Sequence, residues 1–289
     1  MKICYSCSER FNHATWICPA CGYQPKKINC HWAFAPEIAQ IGNNYEISFF
    51  PELFKLEEKN FWFRSRNRLI IWALKKFFPQ SRKILEIGCG TGFVLAGLEQ
   101  ALPHVSLAGS ELYVEGLNFA ARRLSRTELF QMDACKIPFE AEFDVIGAFD
   151  VLEHIETDIK VLAEMYRSVS VGGGIVLTVP QHPWLWSYAD DYAHHIRRYR
   201  ANELKIKVER VGFKVVKMTS FVSLLLPLML ASRLQQQQPM TNYDPTSELR
   251  INGLLNKVLE NLLSVEHWLI RSGISFPAGG SLLLVAIKV

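Results

Sequence analysis

The sequence predicts a doubly wound α/β sheet, on three observations. Apolar runs of strand length alternate with stretches of helical periodicity between residues 83 and 180. Those runs are unbroken rather than alternating, as parallel strands buried on both faces require. A glycine-rich turn, "GCGTG" at 88–92, joins the first run to the first helix. Strands are expected at "KILEIG" (83–88), "VSLAGSE" (105–111), "ELFQMD" (128–133), "FDVIGAFD" (143–150), "GGIVLTVP" (173–180), "FKVVKMTSF" (213–221) and "SLLLVAIKV" (281–289). Helices are expected from Phe93 and through "EGLNFAARRL", "DIKVLAEMYRSV" and "NELKIKVERVG". Ahead of the sheet, Pro51 to Phe78 carries apolar and aromatic residues at helical spacing, with Lys and Arg interleaved. That stretch reads as one or two amphipathic helices, ended by Pro79.

The 289 residues, 49% hydrophobic and 21% charged, suffice for one full core plus a smaller module. A formal charge of +4 does not by itself point to nucleic acid, because local clustering of Lys and Arg is the signal. The opening "MKICYSCSERFNH" lacks the apolar stretch of a secretory signal, and no run reaches the roughly 18 apolar residues of a membrane span. A cytoplasmic location is expected. The seven cysteines then read as metal ligands or buried thiols rather than disulfides.

Residues 1–30 are poor in aliphatic side chains and need another staple. Cys4-x2-Cys7 and Cys18-x2-Cys21 have the spacing of a tetrahedral thiolate site, which predicts a structural zinc ribbon over 1–30. A redox pair is the alternative. Cys30, Cys89 and Cys135 lack spaced partners and are expected to be buried thiols. Residues 31–80 would be a linker and cap helices, and 81–289 the main domain with an apolar helical insertion at about 222–271. Within the insertion, "FVSLLLPLMLA" (221–231) is too short to cross a bilayer. It is expected to pack on the helix at 254–270; the alternative is an apolar patch that admits a lipid-like acceptor or touches a membrane surface. "QQQQ" (235–238) reads as a connector.

The glycine turn lets backbone approach a ligand closely. Dinucleotide sites place a third glycine three residues after the second, but position 93 is Phe, which favours a ligand without a pyrophosphate. Glu111 closes the next strand, where a carboxylate accepts both hydroxyls of a ribose, and Asp133 closes the one after, suited to an exocyclic amine. Open α/β sheets bind ligands beyond the carboxyl ends of their strands, so the three features converge on one crevice.

In these motifs the chain resembles class I S-adenosylmethionine-dependent methyltransferases. "LEIGCGTG" is similar to the family's first motif, "GSEL" to its ribose-binding turn, "MDA" to its adenine contact and "FDVIGAFDVLEHI" to its fourth strand and following turn. The resemblance covers about 61–221 and the last strand. It implies a seven-stranded Rossmann-like sheet, mostly parallel with an antiparallel last strand. It also implies a cofactor site of Glu86, Gly88, Cys89, Gly90, Gly92, Glu111, Leu112, Asp133, Ala134 and Asp150.

The fourth strand ends in "AFDVLEH" rather than in an Asn/Asp-Pro-Pro-Tyr turn, which disfavours N-methylation of a base. His154, just past it, is a candidate general base or a structural histidine. "DDYAHHIRRYRANEL" (190–204) resembles the H-x-R-R-Y segment of methyltransferases of cell-surface polysaccharide and lipid biosynthesis. That would set His195, as a second catalytic candidate, with Arg197, Arg198 and Tyr199 near the acceptor. "FWFRSRN" (61–67) resembles the same subgroup's lid, with Trp62 and Arg66 over cofactor or acceptor.

The expected activity is therefore O-methylation of a small, saccharide or lipid-linked acceptor. RNA methylation guided by the ribbon's basic and aromatic residues, and a non-catalytic zinc-ribbon adaptor, are the alternatives.

Overall fold

The structure, a computed structural model, describes residues 1–39, 44–235 and 251–289. Its N-terminal module compensates for its lack of aliphatic residues by borrowing a core. Strands β1 (Lys2–Ile3) and β2 (Arg10–Phe11) pair antiparallel beside the four thiols. Strands β3 (Lys26–Ile28) and β4 (His31–Ala33) form a hairpin through Asn29 and Cys30, both at positive φ (47° and 71°). Two such residues make the turn that a two-residue hairpin loop needs. Cys30 is consequently exposed, not buried as its lack of a spaced partner suggested, whereas Cys89 is buried and Cys135 half-buried.

The chain continues through α1 (Asn44–Leu56) and α2 (Phe61–Phe77) into β5 (Lys83–Ile87), α3 (Phe93–Ala101), β6 (Ser106–Glu111), α4 (Val114–Arg123), β7 (Glu128–Gln131) and β8 (Phe143–Phe149). It then forms α5 (Asp158–Ser168), β9 (Val169–Pro180), α6 (Tyr188–Tyr192), α7 (Ala201–Arg210), β10 (Phe213–Phe221), α8 (Leu226–Gln235), α9 (Gly253–Arg271) and β11 (Ser281–Lys288). All seven expected strands form. Their order is β10-β11-β9-β8-β5-β6-β7, and only β11 runs antiparallel to its neighbours.

The sheet is nine-stranded, because β4 pairs parallel with β7 and brings β3 with it. An edge that would otherwise expose unpaired N–H and C=O groups is thereby covered. Trp16, buried, lies edge-on to Phe34, Phe130 and Phe139 at centroid distances of 4.6, 6.2 and 5.5 Å. The hairpin straddles the expected module boundary at residue 30, so module and sheet share one core.

A second core fills the other face, from α2, α3, α4 and α9. The side-chain oxygen of Asn60 accepts from the Trp62 N–H at 2.8 Å and starts α2. Asn256 of α9 accepts from the Phe61 N–H at 2.8 Å, tying the two helices end to end. The start of the apolar insertion packs as expected, with Phe221, Val222 and Leu225 sharing this core with Leu259, Leu263 and Ile270, whereas Leu228 and Leu230 of α8 are exposed. Glu266 of α9 accepts from the Ser223 and Leu224 N–H groups at 2.7 and 2.8 Å. The "QQQQ" run lies, after Gln235, outside the described residues. Among the described residues no helix is long and apolar enough to cross a membrane.

Trp16→Ala is expected to cost about 3–5 kcal/mol, the usual loss for a buried aromatic. Urea denaturation should show one lowered transition, since the module has no core of its own. A separate transition for residues 1–33, with the rest unchanged, would show that the two do not share a core.

Candidate functional site

The tip of β5 is a turn in left-handed backbone, with φ of 65° at Gly88, 51° at Gly90 and 76° at Gly92. At Gly88 a Cβ would lie 2.5 Å from Val151 Cγ2, so only glycine fits. At Gly90 the nearest atom to a Cβ would be Phe50 Cε1 at 3.9 Å, so the backbone lies open there. The Gly90 N–H donates to Glu111 Oε2 at 2.9 Å, and Glu111 Oε1 accepts from the Leu112 and Tyr113 N–H groups at 2.8 and 3.2 Å. One carboxylate thus fastens the tips of β5 and β6 and the turn that leads into α4. At the third tip, Asp133 accepts from the Cys135 N–H at 2.8 Å, beside buried Ala134. Cys89 is buried, and its N–H donates to Ser110 O at 2.9 Å.

Glu86, also on β5, is buried, and its Oε2 has no hydrogen-bond partner. Burial pushes its carboxyl well above the usual range, opposed by the positive charge of Arg66. Arg66 ion-pairs with Asp150, which ends β8 at φ 59°, and its guanidinium stacks on Trp62 at 4.5 Å. The expected lid residues therefore do reach the strand tips.

A second network lies over the turn. Arg123 Nη1 donates to Glu57 Oε2 at 2.7 Å, to Thr91 Oγ1 at 2.7 Å and to Thr91 O at 3.1 Å. Its Nη2 donates to Phe54 O at 3.1 Å, which fixes α1 to the glycine turn. No motif announced this network.

Beyond β8 a short helical turn, Leu152–His154, brings Glu153 and His154 to the segment that follows α6. His195 Nδ1 lies 2.9 Å from Asp190 Oδ1, and its Nε2 lies 3.9 Å from Glu153 Oε1. The His154 and His195 rings meet edge to face at 4.8 Å. His154 has an exposed edge, yet the surrounding protein and the neighbouring His195 push its pKa down to about 4. It is neutral at pH 7.

The expected acceptor loop is anchored from beneath. Asp190, fully buried, accepts from Arg198 Nε at 2.7 Å. Tyr199, also fully buried, donates to Asp158 Oδ2 at 2.7 Å, where Arg197 (2.9 Å) and Lys207 (2.7 Å) converge. Three tyrosine and arginine side chains expected near the acceptor thus meet two acids, only one of which is close by in sequence. Sequence alone does not single out Glu153 and Asp190, because nothing in their motifs distinguishes a fully buried acid from the solvated acids beside it.

The N-terminal thiols fit a metal. All four Sγ atoms lie within 4.8 Å of one another, with Cys4–Cys21 at 3.7 Å and Cys7–Cys18 at 3.6 Å. Sulfurs around one tetrahedral zinc at ~2.3 Å stand about 3.8 Å apart.

A Rossmann-like sheet with bare backbone and acids at consecutive strand tips defines a nucleoside-binding α/β protein. A family model described as "Methyltransferase domain" matches residues 57–218, and the chain belongs to that family, with the class I S-adenosylmethionine-dependent architecture. It is similar to a "Probable S-adenosylmethionine-dependent methyltransferase" of Mycolicibacterium smegmatis, 25% identical over 55% of this chain and 62% of that protein. It is also similar to the "Malonyl-[acyl-carrier protein] O-methyltransferase" of Legionella pneumophila, 28% identical over 39% of this chain and 43% of that one. These matches cover less than two thirds of the relatives' lengths. Among solved structures, a Haloferax volcanii complex of the Trm112 methyltransferase activator with a methyltransferase aligns at a TM-score of 0.57 and 14% identity, covering 84% of this chain and 96% of that one. That likeness is one of fold.

Arg123→Met leaves Glu57 buried without its cation and should cost roughly 3 kcal/mol. Adding Glu57→Gln should recover much of that loss in urea denaturation. A single variant within 1 kcal/mol of the parent would show that the pair does not hold α1.

Proposed function

We propose that this chain transfers the methyl group of S-adenosylmethionine to an oxygen of a small, saccharide or lipid-linked acceptor. The convergence of Gly90, Glu111 and Asp133 at three neighbouring strand tips carries the reading. Glu111 takes the ribose, Asp133 and Ala134 the adenine, and the turn from Gly88 to Gly92 the methionyl part. Glu86 supports this, because a buried carboxylate oxygen without a partner suits an ammonium group.

S-adenosylmethionine supplies an electrophilic methyl. As the C–O bond forms, the C–S bond breaks, the sulfonium becomes a neutral thioether and the acceptor hydroxyl loses its proton. The protein's task is alignment and proton removal. We place the hydroxyl at His154 and His195. Asp190 fixes His195 through Nδ1, leaving Nε2 on the Glu153 side. Arg198 and Tyr199 act as positioning residues, holding Asp190 and the turn after β8 in place. Arg197 is more open than Arg198 and is the one we assign to an anionic group on the acceptor. Trp62 and Arg66 close over the crevice, and a structural zinc holds the thiolates.

The RNA alternative is the weaker one. Two of the module's aromatics, Phe11 and Trp16, are buried, so they do not offer faces for base stacking.

A methyl-labelled donor with a panel of hydroxylated metabolites and glycolipids tests this directly. Label should appear as an acid-stable methyl ether, or as an ester if the oxygen is a carboxylate's, and NAD should not compete. His195→Ala should lower turnover at least 100-fold, the low end for a lost acid–base group, with donor affinity intact. Label on an amine would overturn the oxygen assignment, and label on RNA the choice of a small, saccharide or lipid-linked acceptor.

A further inference from the structure

Glu153 is 0% exposed, and neither of its carboxylate oxygens has a hydrogen-bond partner beyond its own residue. Such a group is costly unless something binds it. Among the described residues, Arg66 and Arg198 are the cations that act on its charge. Arg66 is committed to Asp150 and Arg198 to Asp190, so the two guanidiniums nearest in the network are already balanced. What faces Glu153 instead is a pair of imidazoles, and one ligand atom each of Glu153, His154 and His195 lie within 4.8 Å of one another.

We infer that Glu153, His154 and His195 form a binding site for a divalent transition-metal cation, separate from the four-thiolate cluster. Two imidazoles and one carboxylate suit ions such as Mn(II), Fe(II), Co(II) or Zn(II). Three ligands about 2.1 Å from one ion stand about 3.5 Å apart, so closure from within 4.8 Å needs side-chain shifts of up to about an ångström. The outer supports that metal-bound histidines require are already built. Asp190 meets His195 Nδ1 at 2.9 Å, directing Nε2 to the site, and is itself held by Arg198. The His154 ring is hydrogen-bonded to the backbone of His194. Outer partners of this kind fix the tautomer and orientation of a ligating imidazole.

The role of the ion, though not its binding, rests on the methyl-transfer reading. At this position the cation would take the acceptor's hydroxyl oxygen, lowering its pKa so that the proton passes to solvent before the methyl arrives. It would thereby replace a direct imidazole contact.

Mn(II) is the probe, because thiolates hold it poorly. Titrated into the full chain and followed by the EPR signal of the free ion, it should occupy one site per chain. Affinity should fall at least tenfold in Glu153→Gln, in His195→Ala and in His154→Ala. The last alters an exposed ring and keeps the test valid if the buried changes impair folding. An undiminished free-ion signal, or binding unaffected by the substitutions, overturns the proposal. S-adenosylhomocysteine titrated into the same samples separates the two readings: its binding without Mn(II) uptake removes only the metal site, and Mn(II) uptake without its binding removes only the methyl-transfer reading.

Discussion

Three backbone N–H groups, from Gly90, Leu112 and Tyr113, end on the single carboxylate of Glu111. This is the constraint on which the site depends. A turn held in left-handed backbone is poorly defined by packing alone, since its glycines carry no side chains to wedge it. Glu111 supplies the missing definition by binding the turn to the neighbouring strand, whose register with β5 is set by five paired residues. The sheet's apolar order fixes the strand tips, and the carboxylate fixes the loops between them.

The charges around this crevice follow one pattern. Arg123 with Glu57, Arg66 with Asp150 and Arg198 with Asp190 are each buried or nearly so; the first ties the end of α1 to α4, the second ties α2 to the end of β8, and the third braces the segment after β9 internally. Buried pairs of this kind add little net stability, because desolvation consumes most of the attraction. They do specify geometry, since a misplaced partner leaves a bare charge. Glu86 and Glu153 contrast with them: both are buried acids with unpartnered oxygens.

Much of the fold was legible in the sequence because parallel strands buried on both faces leave unbroken apolar runs, as in "FDVIGAFD" and "GGIVLTVP". The candidate crevice was legible for a related reason: its glycines and acids fall at the ends of those runs. The addition of β3 and β4 to the sheet edge was not, because short strands of mixed polarity carry no period. Tyr199 shows the limit most clearly. In sequence its loop resembles an acceptor segment, but Asp158 lies beneath it and draws the hydroxyl, Arg197 and Lys207 inward. Only tertiary structure brings a residue of α5 under that loop. Arg123, Glu57 and Thr91 were invisible for the same reason, being spread over more than sixty positions with no shared motif.

If Glu111 is the clasp that shapes the adenosyl site, its removal should damage ligand binding more than folding. The most direct measurement is the calorimetric affinity of S-adenosylhomocysteine for Glu111→Gln against the parent chain, with circular dichroism confirming the fold. The amide retains one oxygen but cannot accept from both sides. A loss of at least tenfold, about 1.4 kcal/mol, is the outcome expected here. Equal affinity in both chains would contradict the account at its base.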